Sequence, residues 1–202
     1  MHRSGRFYHI ILLGSILMIL GWGLFTDIKP ITSIGKVMAF EIVTGLDVGF
    51  LFDAPLLSLQ ASVEQHDVAT ATATAGFIRN LAMSISIVVS GTIFENGMSL
   101  QAPKLLKAGL PATLISEFEH GQASANVDII RTIDDHSQRL AIKAAYASSL
   151  RLVWISLAAA AGAGFIVSIF IKDSVLSDTH TETKTGLRNQ RDRRSNRGRR
   201  EE

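Results

Sequence analysis

The stretch "ATATATAGFIRNLAMSISIVVSGTIF", residues 69–94, is apolar or small almost throughout, yet it carries Arg79 and Asn80 near its middle. Its reading decides the fold. It is either a buried helix of a soluble domain or a helix inside a bilayer, where an arginine must find protein or water. A helix starting after Asp67 puts Thr72, Gly76, Arg79, Met83, Ser86 and Ser90 on one stripe, with Ile78, Ile85, Val88 and Val89 on the other side. In lipid, small residues let backbones approach and hydroxyls bond across helices, so this small, polar face suits helix packing. An arginine facing lipid at the midplane costs about 2.5–3.5 kcal/mol on insertion scales. Arg79 is therefore expected to face protein or a wet cavity, pairing there with a carboxylate. The alternative is that hydrocarbon begins near Ala75 and Arg79 snorkels to the headgroups.

The rest of the chain supports the bilayer. It has 202 residues and a mean hydropathy of +0.26, and its apolar residues cluster in about four blocks separated by polar sequence. The expected fold is all-α: a polytopic membrane helix bundle with four transmembrane helices at 7–25, 37–59, 69–94 and 150–172. Residues 7–25 give about 28 Å of helix, enough for the hydrocarbon core. No small-x-small cleavage site follows them, so an uncleaved span is preferred to a signal peptide. Residues 99–149 form a polar loop, broken early by Pro103 and Pro111. Ile130, Ile133, Leu140 and Ala144 then recur at helical spacing, which predicts an extramembrane amphipathic helix over 126–148, N-capped by Asn126.

Basic residues near span ends set the orientation. The tail 173–202, with "RNQRDRRSNRGRR", is expected in the cytoplasm; four spans then bring residues 1–6, with Arg3 and Arg6, to the same side and leave the long loop outside. The tail reads as a topology determinant touching anionic lipid, or as solvated disordered chain, rather than as a nucleic-acid site.

The second span is the least apolar, because it contains Glu41, Asp47 and Asp53. At six-residue spacing these point in three directions about 120° apart, so a regular helix cannot aim all three into one cavity. Gly45, Gly49 and Pro55 lie in the same span: the two glycines offer a close-packing face, and Pro55 frees backbone groups near Leu51. One carboxylate in a cavity is a candidate proton carrier; the competing reading is a headgroup-level or structurally paired acid. The candidate substrate and proton path is thus Glu41, Asp47, Asp53, Arg79 and Asn80. Gly45, Gly49, Pro55, Thr72, Gly76, Ser86 and Ser90 are the candidate packing positions.

Function classes can be excluded. With no cysteine there are no disulfides or thiolate metal sites. Asp134, Asp135 and His136 are adjacent and do not converge on a helix, and no His-x-x-x-His pair, nucleophile elbow or phosphate loop is present. No enzyme, metal or cofactor is expected.

"VATATATAGFIRNLAMSISIVVSGTIFENGM" resembles the penultimate helix, with its preceding loop, of fungal drug:proton antiporters in the fourteen-span branch of the major facilitator superfamily. "EIVTGLDVGFLFDAPLLSLQA" resembles their preceding helix, "AYASSLRLVWI" the start of their last helix, and "ETKTGL" their C-terminal tail. The resemblance implies a partial major-facilitator fold: the last four helices of a plasma-membrane transporter that exports small, often amphipathic organic molecules against proton entry. It implies that the second helix lines the central cavity and the third lies between the two halves. This chain departs from the family with Asp47 where Gly is usual, Asp53 where Gln is common and Phe50 where Pro is frequent. The implied partners are lipid, such a substrate and protons, and the missing N-terminal helices; alternatively, a four-span regulatory protein would bind a full-length relative.

Overall fold

The computed structural model describes residues 7–119 and 121–170. The expected cytoplasmic N-terminus, the last two residues of the fourth span and the basic tail lie outside these. Four long helices are apolar enough to cross a membrane: α1 (Phe7–Phe25), α2 (Ile34–Ser62), α3 (Val68–Ser99) and, after two short helices α4 (Ala102–Lys107) and α5 (Ala112–Ser116), α6 (His136–Ile169). No strand occurs among the described residues. The chain is an all-α membrane bundle.

α1 is central and packs on α2 and α6, while α3 leans on α6 and meets α2 only lightly. Glycines set the closest approaches. A Cβ on Gly14 would lie 2.9 Å from Leu51 Cγ, one on Gly21 2.9 Å from Thr44 Oγ1, and one on Gly97 3.0 Å from Ser149 Cβ. Between helices in lipid there is no solvent to squeeze out, so such backbone proximity and its dispersion contacts are what binds them. Just inside one end of the bundle, Trp22 and Trp154 stack at 5.7 Å, and Phe25 lies 5.1 Å from Trp154 and 5.9 Å from Phe40. This cluster joins α1, α2 and α6.

Above it sits a cap built from the end of α3, residues 100–135 and the start of α6. Most of the buried apolar side chains are here: Phe94, Met98, Leu105, Phe118, Ile130 and Ile142 belong to one cluster. Here apolar side chains from the end of α3, the loop and the start of α6 are buried against one another. At 34 residues α6 is about 51 Å long, well beyond the roughly 30 Å hydrocarbon core, so its first turns project into the cap. Glu95, near the end of α3, accepts hydrogen bonds from the backbone N–H groups of Ala123 and Ser124 and from the Ser124 hydroxyl. Tyr146 donates to the Ala123 carbonyl at 2.6 Å. Two helices thereby grip one loop.

The amphipathic helix expected over 126–148 is not continuous. A 3-10 helix covers Val127–Thr132, the chain extends at Ile133, and α6 starts at His136. The side chain of Asn126 is occupied elsewhere, donating to the Glu117 carbonyl at 2.7 Å. Asp135 is the working cap, accepting from the Ser137 N–H and hydroxyl at 2.8 Å each. The buried stripe also differs: Ile142, Ala145, Ser149 and Val153 face inward, while Leu140 and Ala144 are exposed. α2 and α3 run beyond the apolar blocks 37–59 and 69–94, α3 because Gly97 and Met98 are buried where it packs on α6 and the cap.

Candidate transport-path residues

The polar residues of α2 fall on different sides, as their spacing requires. Glu41 and Asp53 are exposed, whereas Asp47 is 2% exposed. Asp47 lies on the stripe of α2 with Phe40, Thr44, Leu51 and Ala54. Since Thr44 meets Gly21 and Leu51 meets Gly14, the antiparallel register puts Asp47 level with Leu17 and Met18, at the middle of the α1–α2 contact. Its Oδ1 is buried with no hydrogen-bond partner. Among the described residues no cation pairs with it, and a polar group buried in this way is costly in any apolar medium.

Arg79 reaches across to α2. It is half-buried; a guanidinium nitrogen donates to the Phe52 carbonyl at 3.0 Å, and the guanidinium carbon lies 4.3 Å from the centroid of the Phe52 ring. The planar guanidinium suits this double role, stacking and donating at once. The carbonyl lies beside that of Leu51, which Pro55, having no N–H, leaves without its helical partner. α2 nevertheless continues as helix through Pro55. Among the described residues Arg79 has no ion-pair partner, so its contact is with a carbonyl and a ring rather than an acid. About two turns nearer the 63–67 connection, Gln60 donates to the Thr72 hydroxyl at 2.9 Å. Arg79, Phe52, Gln60 and Thr72 thus form a polar seam between α2 and α3.

The other candidates do not join that seam. Asn80 and Ser86 are exposed; Gly76 and Ser90 are half-buried. Gly45 and Gly49 are exposed, and a Cβ on either, or on Gly76, would meet nothing within 4 Å. From Leu81 to Val89 every residue of α3 is exposed, on all sides, with Ile87 at 74%. Sequence reasoning missed Gly14, Gly21, Gly97 and Gln60. The seven-residue interval between Gly14 and Gly21, two helical turns, was the available signal.

No protein-family model and no solved structure matches the chain. Curated relatives do. It is 36% identical over 187 residues to "MFS-type transporter ppz2" of Metarhizium majus, covering 93% of this chain and 32% of that protein. It is 36% identical over 186 residues to an MFS-type transporter of Aspergillus terreus, 92% of this chain and 33% of the relative. It is 32% identical over 189 residues to "Efflux pump dotC" of Dothistroma septosporum, 94% of this chain and 32% of the relative. The chain thus spans about one third of the length of these relatives. With four apolar helices in the same polypeptide, it is a multi-pass membrane protein that corresponds to a part of a fungal major facilitator superfamily transporter.

Proposed function

We propose that this chain is a four-helix part of a proton-coupled exporter of small organic molecules, resident in the plasma membrane with both ends in the cytoplasm. The observation that carries the reading is the similarity over 93% of the chain to a protein named as an MFS-type transporter, of which it covers 32%. Alternating access needs two bundles rocking about a site held between them. Four helices provide one side of such a machine, so the chain does not transport by itself. Its uncovered α3 surface is assigned to the neighbours that complete the bundle. Asp47 is the carboxylate best suited to carry a proton, being held away from water in a helix contact. The α2–α3 seam around Arg79 is the element we assign to the moving contact.

Two reconstitutions test this. Purified chain in proteoliposomes with an inward proton supply is expected to drive no dye efflux. A chimera, in which this chain replaces the matching third of a full-length relative, is expected to restore proton-dependent efflux, with Asp47→Asn abolishing the proton dependence. Efflux from the chain alone would overturn the dependence on missing helices. A well-folded chimera that never transports would overturn the transporter reading.

A further inference from the structure

One hollow of the molecule lies outside the helix contacts described above. It is a cleft of about 280 Å³ between the α1–α2 connection and the start of the membrane part of α6, and Thr26, Asp27, Lys29, Ala147, Ser148 and Arg151 are among its walls. Its charge is unbalanced. Asp27 is tied to Lys36 by an ion-paired hydrogen bond. Among the described residues Lys29 and Arg151 have no carboxylate partner and no side-chain hydrogen bond. Asp27 feels both: Lys36 chiefly, then Lys29 and more weakly Arg151, hold its carboxyl below the ordinary value. With one acid neutralised by Lys36, two cations remain among the walls of one cleft, and among the described residues the Ser148 hydroxyl beside them is uncommitted. The Thr26 hydroxyl donates inward to the Gly23 carbonyl, so the donors for a ligand are Lys29, Arg151 and Ser148.

The depth of the cleft says which anion fits. It begins where α1 ends at Phe25, directly above the Trp22, Phe25 and Trp154 cluster. Such aromatic groups sit at the membrane–water boundary, so the cleft opens at headgroup level. Leu24 and Leu152 are exposed beside its floor and Leu20 and Ile155 one to two turns deeper, offering apolar surface to acyl chains. We propose that this cleft is a binding site for the headgroup phosphate of an anionic phospholipid, with Lys29 and Arg151 as its charge partners. A second hollow sharing Ala144 and Ser148 leads on to Lys104 and leaves room for the remainder of the headgroup.

The chain's two tryptophans are Trp22 and Trp154, stacked under the cleft, which provides an intrinsic reporter. The full chain is reconstituted in phosphatidylcholine vesicles containing a minor fraction of either brominated phosphatidylglycerol or brominated phosphatidylcholine, and quenching is compared at equal mole fraction. Brominated phosphatidylglycerol is expected to quench preferentially, with an apparent preference falling about fivefold for each cation removed. Lys29→Gln with Arg151→Gln should abolish the preference, Arg151→Lys should keep most of it, and Arg131→Gln, in the cap, should leave it unchanged. Equal quenching by the two lipids, or a preference that survives the double substitution in a chain of unchanged helix content, overturns the site. Loss of the preference on adding inorganic phosphate, at constant ionic strength, shows a free-oxyanion site instead and overturns the lipid assignment.

Discussion

At the scale of single residues, the least comfortable group in the bundle is Asp47. Its Oδ1 is buried without a partner, and an unmade hydrogen bond at a buried polar group costs about 1–3 kcal/mol. Asp47→Ala is therefore expected to stabilise the chain by an amount of that order, read from unfolding in mixed detergent micelles. A loss of stability instead would mean that the carboxyl is satisfied in the membrane. Arg79 makes the opposite case: it donates to the Phe52 carbonyl and stacks on the Phe52 ring, and Arg79→Met should cost about 1 kcal/mol, within the range measured for polar contacts between membrane helices. Asp135, in the cap, supplies a pH test. The Ser137 hydroxyl and N–H hold its carboxyl below the ordinary value of 3.8. A carboxyl lowered on folding contributes stability that is present above its unfolded value and lost as pH falls through its folded one. Hydrogen exchange of the first-turn amides of α6 should accordingly accelerate only below about pH 4, and Asp135→Asn should remove that pH dependence.

At the scale of helices, what matters about a glycine is the atom facing it. Gly97 looks at the backbone of Ser149, with Cα 3.1 Å from a would-be Cβ. Backbone cannot yield as a flexible side chain can, so Gly97→Val is expected to push α3 off α6 and cost roughly 1–3 kcal/mol. Gly45 and Gly49 face open space, and Ala at either should be neutral or gain about 0.5–1 kcal/mol in this chain from reduced backbone freedom. Unfolding of the three variants side by side checks the contrast. It also marks how far sequence could go. Gly-x-x-x-Gly spacing signals that two glycines share a face, but not whether a neighbour is present on that face. Likewise the six-residue spacing of Glu41, Asp47 and Asp53 shows that they diverge, while only the packing of α1 decides that Asp47 is the one inside. The apolar blocks were legible because length and hydropathy are properties of the segment alone. The start of α6 was not, because Asn126 and Asp135 are both good caps and the hydrogen bond from Asn126 to Glu117 selects between them.

At the scale of the molecule, burial is lopsided. The cap holds a shared apolar core and two helices locked onto one loop by Glu95 and Tyr146, whereas the middle of α3 is exposed on all sides. This division could not be read from hydropathy, which scores a helix as apolar whether lipid or protein surrounds it. It makes the environment of α3 a direct test of the neighbouring helices proposed above. Ser86 and Val88 lie on nearly opposite sides of the helix, two residues and so about 200° apart. Spin labels at Ser86→Cys and Val88→Cys in the chain alone should therefore both be open to oxygen dissolved in the bilayer and closed to water-soluble relaxation agents. In the chimera with the full-length relative, the label at position 86, on the small and polar stripe with Arg79, should lose oxygen access while that at position 88 keeps it. Shielding of position 86 already in the isolated chain would mean that copies of the chain cover each other there. Equal access at both positions in an active chimera would mean that the stripe faces lipid, and that the neighbours of this helix lie elsewhere.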